Sequence, residues 1–428
     1  MKKIESKVLE EIAYKEILDN GMEVIIIPKK GFKKKYAIWA THFGSIDNDF
    51  IVPKTQKRVQ IPDGVAHFLE HKMFEMPDGK DALYSLMALG VDANAYTTSD
   101  HTAYLFECSQ HFDEALDILM DYVGTPYYTE ETVKKEQGII GQEIMMYEDD
   151  PFWKCYLNAL KCLYVKNPIR LDTAGTIESI AQITPEILYD CYNTFYNPSN
   201  MVFVLCGDFD EKEILEKIKA RLGSRENEGK IKRFYPEEAE KICKKEEKVN
   251  MDISIPFFTI GIKDKVLEDR KEIIKRHLAI EILLNYITGE SSKLYSKLYE
   301  KGLILGPLSS EYEFSRTYGY ALILGRSKNP KEVEKLFLEE IEKIKKEGID
   351  EKDFSRIKNK LYGEYISSYN SVSHIARNFI SDWMKGIYNT YDYIDSFEKV
   401  TKKYTEEILK EVFKEEKEVI SIVEKIKK

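Results

Sequence analysis

Hydrophobic residues near the start of the chain cluster in short runs that predict strands. Met22 to Ile27 is apolar and β-branched and follows the turn signal Asp-Asn-Gly, and Tyr36 to Phe43 forms a second run. Between Gly64 and Phe74 the apolar residues instead recur every three or four positions, which predicts a helix with Asp63 as its N-cap. The chain therefore begins with strands that are followed by a helix.

The same reading continues along the first half. Residues 92–108 are predicted to form one further strand, and residues 111–123 a helix. A long helix is predicted over residues 129–147, with the threonine at its start as N-cap and acidic residues in its first turn. Gly138 and Gly141 lie within this helix, and their small size would let another backbone approach closely.

The second half of the chain repeats the pattern of the first. The segment Thr129-Glu-Glu-Thr-Val-Lys-Lys recurs in type as Asp350-Glu-Lys-Asp-Phe-Ser-Arg, 221 positions later. Thr184-Pro-Glu-Ile-Leu recurs as Thr405-Glu-Glu-Ile-Leu at the same offset. Two matches in one register indicate a duplication, although amphipathic helices rich in Lys, Glu and Ile can also resemble one another by chance.

This duplication predicts an α+β protein of two homologous halves. Each half is expected to be a mainly antiparallel sheet with helices packed on one face. The halves are placed at residues 1–222 and 251–428, and the Lys- and Glu-rich residues 223–250 are interpreted as a charged linker.

Composition limits the partners and the compartment. With 428 residues, 43% hydrophobic and 32% charged, the chain has the balance of a soluble globular protein. A net charge of −10 argues against nucleic acid as a partner and favours cationic ligands such as basic peptides. The sequence has no apolar run long enough to predict a membrane span, and no apolar segment at its start that would predict a secretory signal. The six cysteines show no CxxC pair. We therefore expect reduced thiols and a cytoplasmic protein.

The segment His67-Phe-Leu-Glu-His71 carries the chemistry. On a helix, positions i and i+4 share a face, so both imidazoles can reach one ion, and Glu70 flanks the same point. Zinc accepts imidazole and carboxylate ligands and lowers the pKa of a bound water, whose proton a nearby carboxylate can accept. The pattern predicts zinc-dependent amide hydrolysis. The alternative is a helix with two surface histidines and an ion pair.

A third ligand is needed, and the long helix offers several carboxylates. Glu136 and Glu143 are seven residues apart, so they lie on nearly the same face of that helix, two turns from one another. Glu148 lies near its end. Spacing alone leaves all three glutamates open as the third zinc ligand.

Several segments together resemble the inverzincin metallopeptidases of the insulinase/pitrilysin type, which include the mitochondrial processing peptidases and many small bacterial zinc peptidases. The segments occur in the family's order across essentially the whole chain, most strongly over residues 60–210. They are Gly64 to Glu75, Asn94 to Thr98, His101 to Tyr104, Glu136 to Pro151, Gly175 to Ile180, Tyr196 to Met201 and Gly207-Asp-Phe. The bacterial branch whose genes come as adjacent pairs is the most similar.

The resemblance implies a role for each matching residue. The implied ligands of one zinc ion per chain are His67, His71 and Glu143. Glu70 matches the general base, and Glu136 matches a glutamate that stands outside the metal's own ligands. Asn94 and Ala95 fall where family members offer a strand edge to the substrate backbone. The implied fold is a pair of homologous halves that closes a chamber with another pair.

One segment departs from the family. Active members usually carry an arginine and a tyrosine seven residues apart in the second half, where they help to hold the scissile carbonyl. Here that segment reads Leu298-Tyr-Glu-Lys, so Tyr299 stands at the arginine position, and no tyrosine follows at the expected place. The second half also lacks an HxxEH motif.

The sequence therefore predicts a zinc-dependent endopeptidase that hydrolyses unfolded peptides or peptide precursors inside a closed chamber. The departure predicts that this chain supplies the zinc-bearing subunit of a dimer. A second copy, or a paralogous chain carrying the Arg/Tyr pair, would be the other subunit. The alternative is a non-catalytic peptide-binding or structural subunit of the same fold. The complete set of four zinc-site residues argues against that alternative.

Overall fold

A computed structural model describes residues 1–426 of the chain. These residues form two compact units, each assembled from three separate segments. The first unit comprises Met1–Ile144, Asp172–Tyr235 and Ile366–Tyr391. The second unit comprises Met145–Leu171, Pro236–Tyr365 and the remainder from Asp392. Each unit is an α+β body with its own sheet, so the expected fold class is confirmed.

The strands and helices follow one another in mixed order along the chain. The strands are β1 Lys2–Ser6, β2 Glu11–Ile17, β3 Glu23–Pro28, β4 Lys35–Thr41, β5 Asp49–Ile51, β6 Arg58–Gln60, β7 Asp92–Thr97, β8 Thr102–Cys108, β9 Met201–Gly207, β10 Lys232–Arg233, β11 Glu246–Met251, β12 Phe257–Asp264, β13 Ser309–Phe314, β14 Gly319–Arg326 and β15 Glu418–Lys425. The α-helices are α1 Val65–Lys72, α2 Ala82–Ala88, α3 Phe112–Gly124, α4 Glu130–Glu148, α5 Pro151–Leu163, α6 Ile177–Ile180, α7 Pro185–Phe195, α8 Glu211–Leu222, α9 Arg270–Thr288, α10 Lys293–Glu300, α11 Pro330–Glu347, α12 Glu351–Ser368, α13 Val372–Met384, α14 Asp392–Phe397 and α15 Lys402–Val412.

The first unit is built on a seven-stranded sheet in the order β1-β2-β3-β9-β4-β8-β7. Only β3 and β9 run parallel, and the other neighbours are antiparallel. The sheet is therefore mainly antiparallel, as expected. Strand β7 lies at one edge, so one row of its backbone groups is not used by the sheet.

Both faces of this sheet are covered, which differs from the expectation of helices on one face. On one face, Trp39 and Phe203 join a core with residues of α1 and α3. On the other face, Ile38 and Val204 are fully buried because α13 packs across β4 and β9. Helix α13 comes from the second half of the sequence. The unbroken apolar run of β9 is typical of a strand that is buried on both sides.

The second unit has the reciprocal arrangement. Its five-stranded sheet runs β11-β15-β12-β14-β13, with only β11 and β15 parallel. Helix α5 from the first half of the sequence packs on β12 and β15, where a Cβ at Gly261 would lie 3.0 Å from Leu163. Helices α9, α11 and α15 also pack against this sheet. Each sheet is therefore completed by a helix that the sequence places in the other half.

The segment interpreted as a linker contains two strands and a set of specific contacts. Strand β10 pairs with β5 in the first unit, and β11 extends the sheet of the second. The carboxylate of Glu238 accepts backbone hydrogen bonds from residues 165–167 at 2.7–2.9 Å. The predicted halves, residues 1–222 and 251–428, remain a prediction about the duplication. The compact units are a different division, because each is made of three segments that alternate along the chain.

Several local predictions can be compared directly with the structure. The strands predicted at Met22 to Ile27 and Tyr36 to Phe43 are confirmed as β3 and β4, and the helix at 111–123 as α3. The single strand predicted over 92–108 is wrong, because Thr98 donates its backbone N–H to the His101 carbonyl (2.8 Å) and closes a hairpin between β7 and β8. All six cysteines are free, and only Cys243 is exposed. Across residues 1–426, no helix is both long and apolar enough to cross a membrane.

Candidate metal centre

Helix α1 presents its two histidines away from the core. Phe68 and Leu69 are fully buried in the main hydrophobic core, whereas His67 and His71 are part-buried on the opposite side. The N-cap of this helix is Gly64, so the prediction of Asp63 as the N-cap is wrong. Gly64 has φ 92°, and a Cβ there would lie 2.4 Å from the Ala174 carbonyl oxygen, so this tight start of the helix requires glycine.

Helix α4 supplies the carboxylates that face these histidines. The predicted cap is confirmed, because the Thr129 hydroxyl accepts the N–H of Thr132 at 3.2 Å. The helix buries a narrow stripe that includes Val133, Ile140 and Ile144, which fixes its rotation. Glu136 and Glu143 both lie beside this stripe and are part-buried.

Three side chains meet with the spacing of a metal site. The Nε2 atoms of His67 and His71 lie 3.7 and 3.5 Å from the two carboxylate oxygens of Glu143. One ligand atom from each residue lies within 4.8 Å of the others. In a tetrahedral site with ligands about 2.0–2.1 Å from zinc, neighbouring ligand atoms are about 3.3–3.4 Å apart. The group of His67, His71 and Glu143 therefore fits a zinc site with little rearrangement.

The two histidines differ in how they are supported. The Nδ1 of His71 lies 3.0 Å from a carboxylate oxygen of Glu136, so that ring is held with its Nε2 towards Glu143. The Nδ1 of His67 is buried and has no hydrogen-bond partner among residues 1–426. Because a ligating imidazole is normally supported through its other nitrogen, the orientation of His67 depends on packing alone.

The protonation of the two histidines also differs. Burial, together with the charge of His71, lowers the pKa of His67 to about 3, so His67 is neutral and can bind a metal at any ordinary pH. Burial lowers the pKa of His71 too, but the hydrogen bond that His71 donates to Glu136 and the charges of Glu70, Glu136 and Glu143 outweigh it and raise that pKa. Protons therefore compete with a metal mainly at His71.

Glu70 lies in the same pocket but points to a different partner. It is only 7% exposed, and burial raises the pKa of its carboxyl. Its Oε2 accepts a hydrogen bond of 2.6 Å from the hydroxyl of Thr97, the last residue of β7. The sequence does not assign a role to Thr97, because its contact with Glu70 joins residues that are 27 positions apart.

The remaining predicted residues are placed as follows. Asn94 and Ala95 lie on the edge strand β7, and the Asn94 side chain accepts the N–H of Ala95 at 2.8 Å. Glu148, the third candidate ligand, is exposed at the end of α4 and is not part of the metal group. The expected close approach at Gly138 and Gly141 is wrong, because open space surrounds both Cβ positions within residues 1–426.

In the second unit, Tyr299 stands at the position where the resemblance expects a carbonyl-holding arginine. Tyr299 is 65% exposed on α10. Tyr318 and Tyr320, the nearby tyrosines, are buried, and the hydroxyl of Tyr320 is paired with that of Tyr156 at 2.9 Å. They are consequently part of the packing of the second unit.

Comparison with known proteins gives two matching family models. Residues 60–173 match the model described as insulinase (peptidase family M16), and residues 182–361 match the model of the peptidase M16 inactive domain. The first match contains the HxxEH motif and Glu143, and the second begins after them and extends into the half that lacks the motif.

Individual proteins are similar over almost the whole chain. The uncharacterized zinc protease YmfH of Bacillus subtilis is 37% identical over 418 residues, which cover 96% of each chain. The crystal structure of an M16-like peptidase from Alicyclobacillus acidocaldarius superposes with a TM-score of 0.93 at 33% identity, covering 99% of both chains. A protease from Helicobacter pylori has a TM-score of 0.83 at 20% identity over 96% of this chain and 99% of that one, a likeness of fold alone.

Proposed function

The chain belongs to the insulinase family of zinc proteases (peptidase family M16), and from that membership we propose that it is the zinc-bearing subunit of a two-chain endopeptidase. Its substrates would be unfolded peptides or peptide precursors small enough to enter a closed chamber. The observation that carries the proposal is the group of His67, His71 and Glu143, with the buried carboxylate of Glu70 beside it.

In this proposal His67, His71 and Glu143 hold zinc, and Glu136 orients His71. Bound zinc would polarise the scissile carbonyl and lower the pKa of water at the site. Glu70 accepts the proton of the attacking water and returns it to the leaving amine. Burial raises the pKa of Glu70 towards the working range of a general base, which favours both transfers.

The substrate backbone would bind along β7. This strand lies at the edge of the sheet and ends at Thr97, the residue that contacts Glu70. An extended peptide that pairs with Asn94 and Ala95 would therefore run towards the metal group. Such pairing uses backbone groups, so it would accept many sequences provided that they are unfolded.

A paralogous chain would complete the site. In this chain Tyr299 stands where the resemblance expects the arginine of an Arg/Tyr pair, and no tyrosine follows at the expected place. A partner that carries this pair would supply it, in the manner of the family's two-subunit members. The enzyme would then need both chains for ordinary rates.

The test is cleavage of a quenched basic peptide by the zinc-loaded chain, with and without the paralogous chain. Glu70→Gln serves as the catalytic blank, and Glu148→Gln, an exposed glutamate outside the metal group, as the control. Turnover that requires both chains and disappears only in Glu70→Gln supports the proposal. Turnover by the chain alone contradicts the need for a partner, and no turnover with the partner present overturns the peptidase.

A further inference from the structure

The contact between strand β7 and Glu70 links substrate binding to the catalytic base. The Thr97 hydroxyl lies 2.6 Å from Oε2 of Glu70, which is the usual length of a charge-assisted hydrogen bond from a hydroxyl to a carboxylate. Thr97 shares β7 with Asn94 and Ala95, the residues that would bind the substrate backbone. One strand thus contacts both the expected substrate position and the base.

The hydrogen-bond pattern determines where the Thr97 proton goes. Thr97 pairs directly with Thr102 on β8, and the two hydroxyl oxygens are 3.3 Å apart. The buried Thr102 hydroxyl donates to the Phe43 carbonyl at 2.9 Å, so its single proton is used there. An ionised carboxylate can only accept. The Thr97 proton is therefore directed to Oε2 of Glu70.

This bond restrains a side chain that otherwise has several rotatable bonds. Only 7% of Glu70 is exposed. No residue among 1–426 forms a salt bridge with its carboxylate. With Oε2 fixed by Thr97, the other oxygen, Oε1, remains available to accept a proton. A charge-assisted bond of this kind fixes orientation as well as adding energy.

We propose that Thr97 is a positioning residue that holds the Glu70 carboxylate in the orientation needed for proton transfer, and that it couples this orientation to the pairing of substrate with β7. The inference rests on the proposed function of Glu70 as the base. Among residues 1–426, the Thr97 hydroxyl is hydrogen-bonded to Glu70 and Thr102 and to none of the three proposed zinc ligands, so its removal acts on the proton-transfer step and leaves metal binding in place.

The experiment compares Thr97→Val, which keeps the shape but loses the hydroxyl, with Thr97→Ser, which keeps the hydroxyl. The zinc-loaded chain is assayed with its paralogous partner on the quenched basic peptide. We expect Thr97→Val to lower kcat about 10- to 100-fold with KM changed less than about threefold, and Thr97→Ser to recover most of kcat. Zinc affinity, measured by chelator competition, should change less than about threefold in both variants.

Thr41→Val controls for the loss of a buried hydroxyl in the same sheet. Thr41 is fully buried and its hydroxyl donates to the Phe195 carbonyl, so this variant should lose stability but keep kcat. An unchanged kcat in Thr97→Val overturns the proposal, as does a Thr97→Ser variant that is as slow as Thr97→Val. The Glu70→Gln blank separates this result from failure of the proposed function, because it tests the base itself.

A structural measurement decides the question independently of turnover. In crystals of zinc-loaded wild type and Thr97→Ser, Glu70 should occupy one conformation with its carboxylate on the hydroxyl of residue 97. In Thr97→Val the carboxylate should leave that position or occupy more than one conformation. A single unchanged Glu70 conformation in Thr97→Val would show that packing, and not Thr97, orients the base.

Discussion

Glu136→Gln tests whether the carboxylate behind His71 strengthens metal binding. Glu136 lies 3.0 Å from Nδ1 of His71 and is 14% exposed, so its charge acts on the ring with little screening by water. Glutamine keeps the shape and an acceptor oxygen but removes the charge. Loss of such an outer partner typically weakens metal binding 10- to 100-fold, or about 1.4–2.7 kcal/mol. Because one hydrogen bond survives in glutamine, we expect about a tenfold loss at pH 8.

The effect should shrink as the pH falls. Zinc must displace a proton from His71, and Glu136 raises the pKa of that histidine, so the wild-type chain loses affinity as the pH drops through this raised value. In Glu136→Gln the pKa of His71 is lower, and proton competition begins at a lower pH. His67, whose pKa is about 3, contributes no proton competition above pH 5. The ratio of the two affinities should therefore narrow between pH 8 and pH 6.

Competition with a chromogenic chelator across this pH range measures both quantities. Glu148→Gln is the comparison variant, because it removes one negative charge from an exposed position on the same helix. Equal zinc affinities for wild type and Glu136→Gln at pH 8 would refute the reasoning. A ratio that widens towards pH 6 would refute the assignment of the proton competition to His71.

Two further predictions concern stability. Ile380→Ala, in the fully buried face of α13, should lower the free energy of unfolding of the first unit by about 2–5 kcal/mol. The control Ile366→Ala, at a 38% exposed position, should lower it by less than about 0.5 kcal/mol. Denaturant titration measures both losses, and equal losses would contradict the packing of α13 on the sheet. In the second unit, burial and the charges of Glu313 and Glu311 raise the pKa of Glu281 to about 7. Above pH 7 the ionised carboxylate therefore lowers the free energy of unfolding, whereas below the ordinary pKa of 4.5 the carboxyl is protonated in both the folded and the unfolded chain and has no such effect. Glu281→Gln should therefore raise Tm at pH 8 by about 2–4 °C for each kcal/mol gained in the free energy of unfolding, and it should leave Tm at pH 4 nearly unchanged. A variant with a lower Tm than wild type at pH 8 would show that the carboxylate has a stabilising partner.

Local spacing made the two histidines of the candidate metal group predictable. His67 and His71 are one turn apart on a short helix, so their meeting needs no knowledge of the fold. Spacing did not identify the carboxylate that joins this group, because Glu136, Glu143 and Glu148 all lie on one helix. Only the rotation of α4, set by its narrow buried stripe, places Glu143 between the two Nε2 atoms and Glu136 behind His71.

Contacts between distant segments were not accessible to such reasoning. Thr97 and Glu70 meet because β7 packs beside α1, and no periodicity encodes that packing. The exchange of helices, in which α13 covers the sheet of the first unit and α5 that of the second, was missed for a related reason. An amphipathic helix does not specify which sheet it covers. A signal did exist in β9: all of Met201–Gly207 is buried, and its unbroken apolar sequence is typical of a strand with a layer on each side.

The exchange of α5 and α13 has a consequence for how the chain folds during synthesis. A ribosome that has completed Tyr235 has made most of the first unit, but α13 is finished only when translation approaches Tyr391, 156 residues later. At about 5–20 residues per second, the face of Ile38 and Val204 stays uncovered for about 8 to 30 s. For that time the nascent chain displays an apolar sheet surface that invites aggregation, so a chaperone that shields it would determine the yield of folded protein.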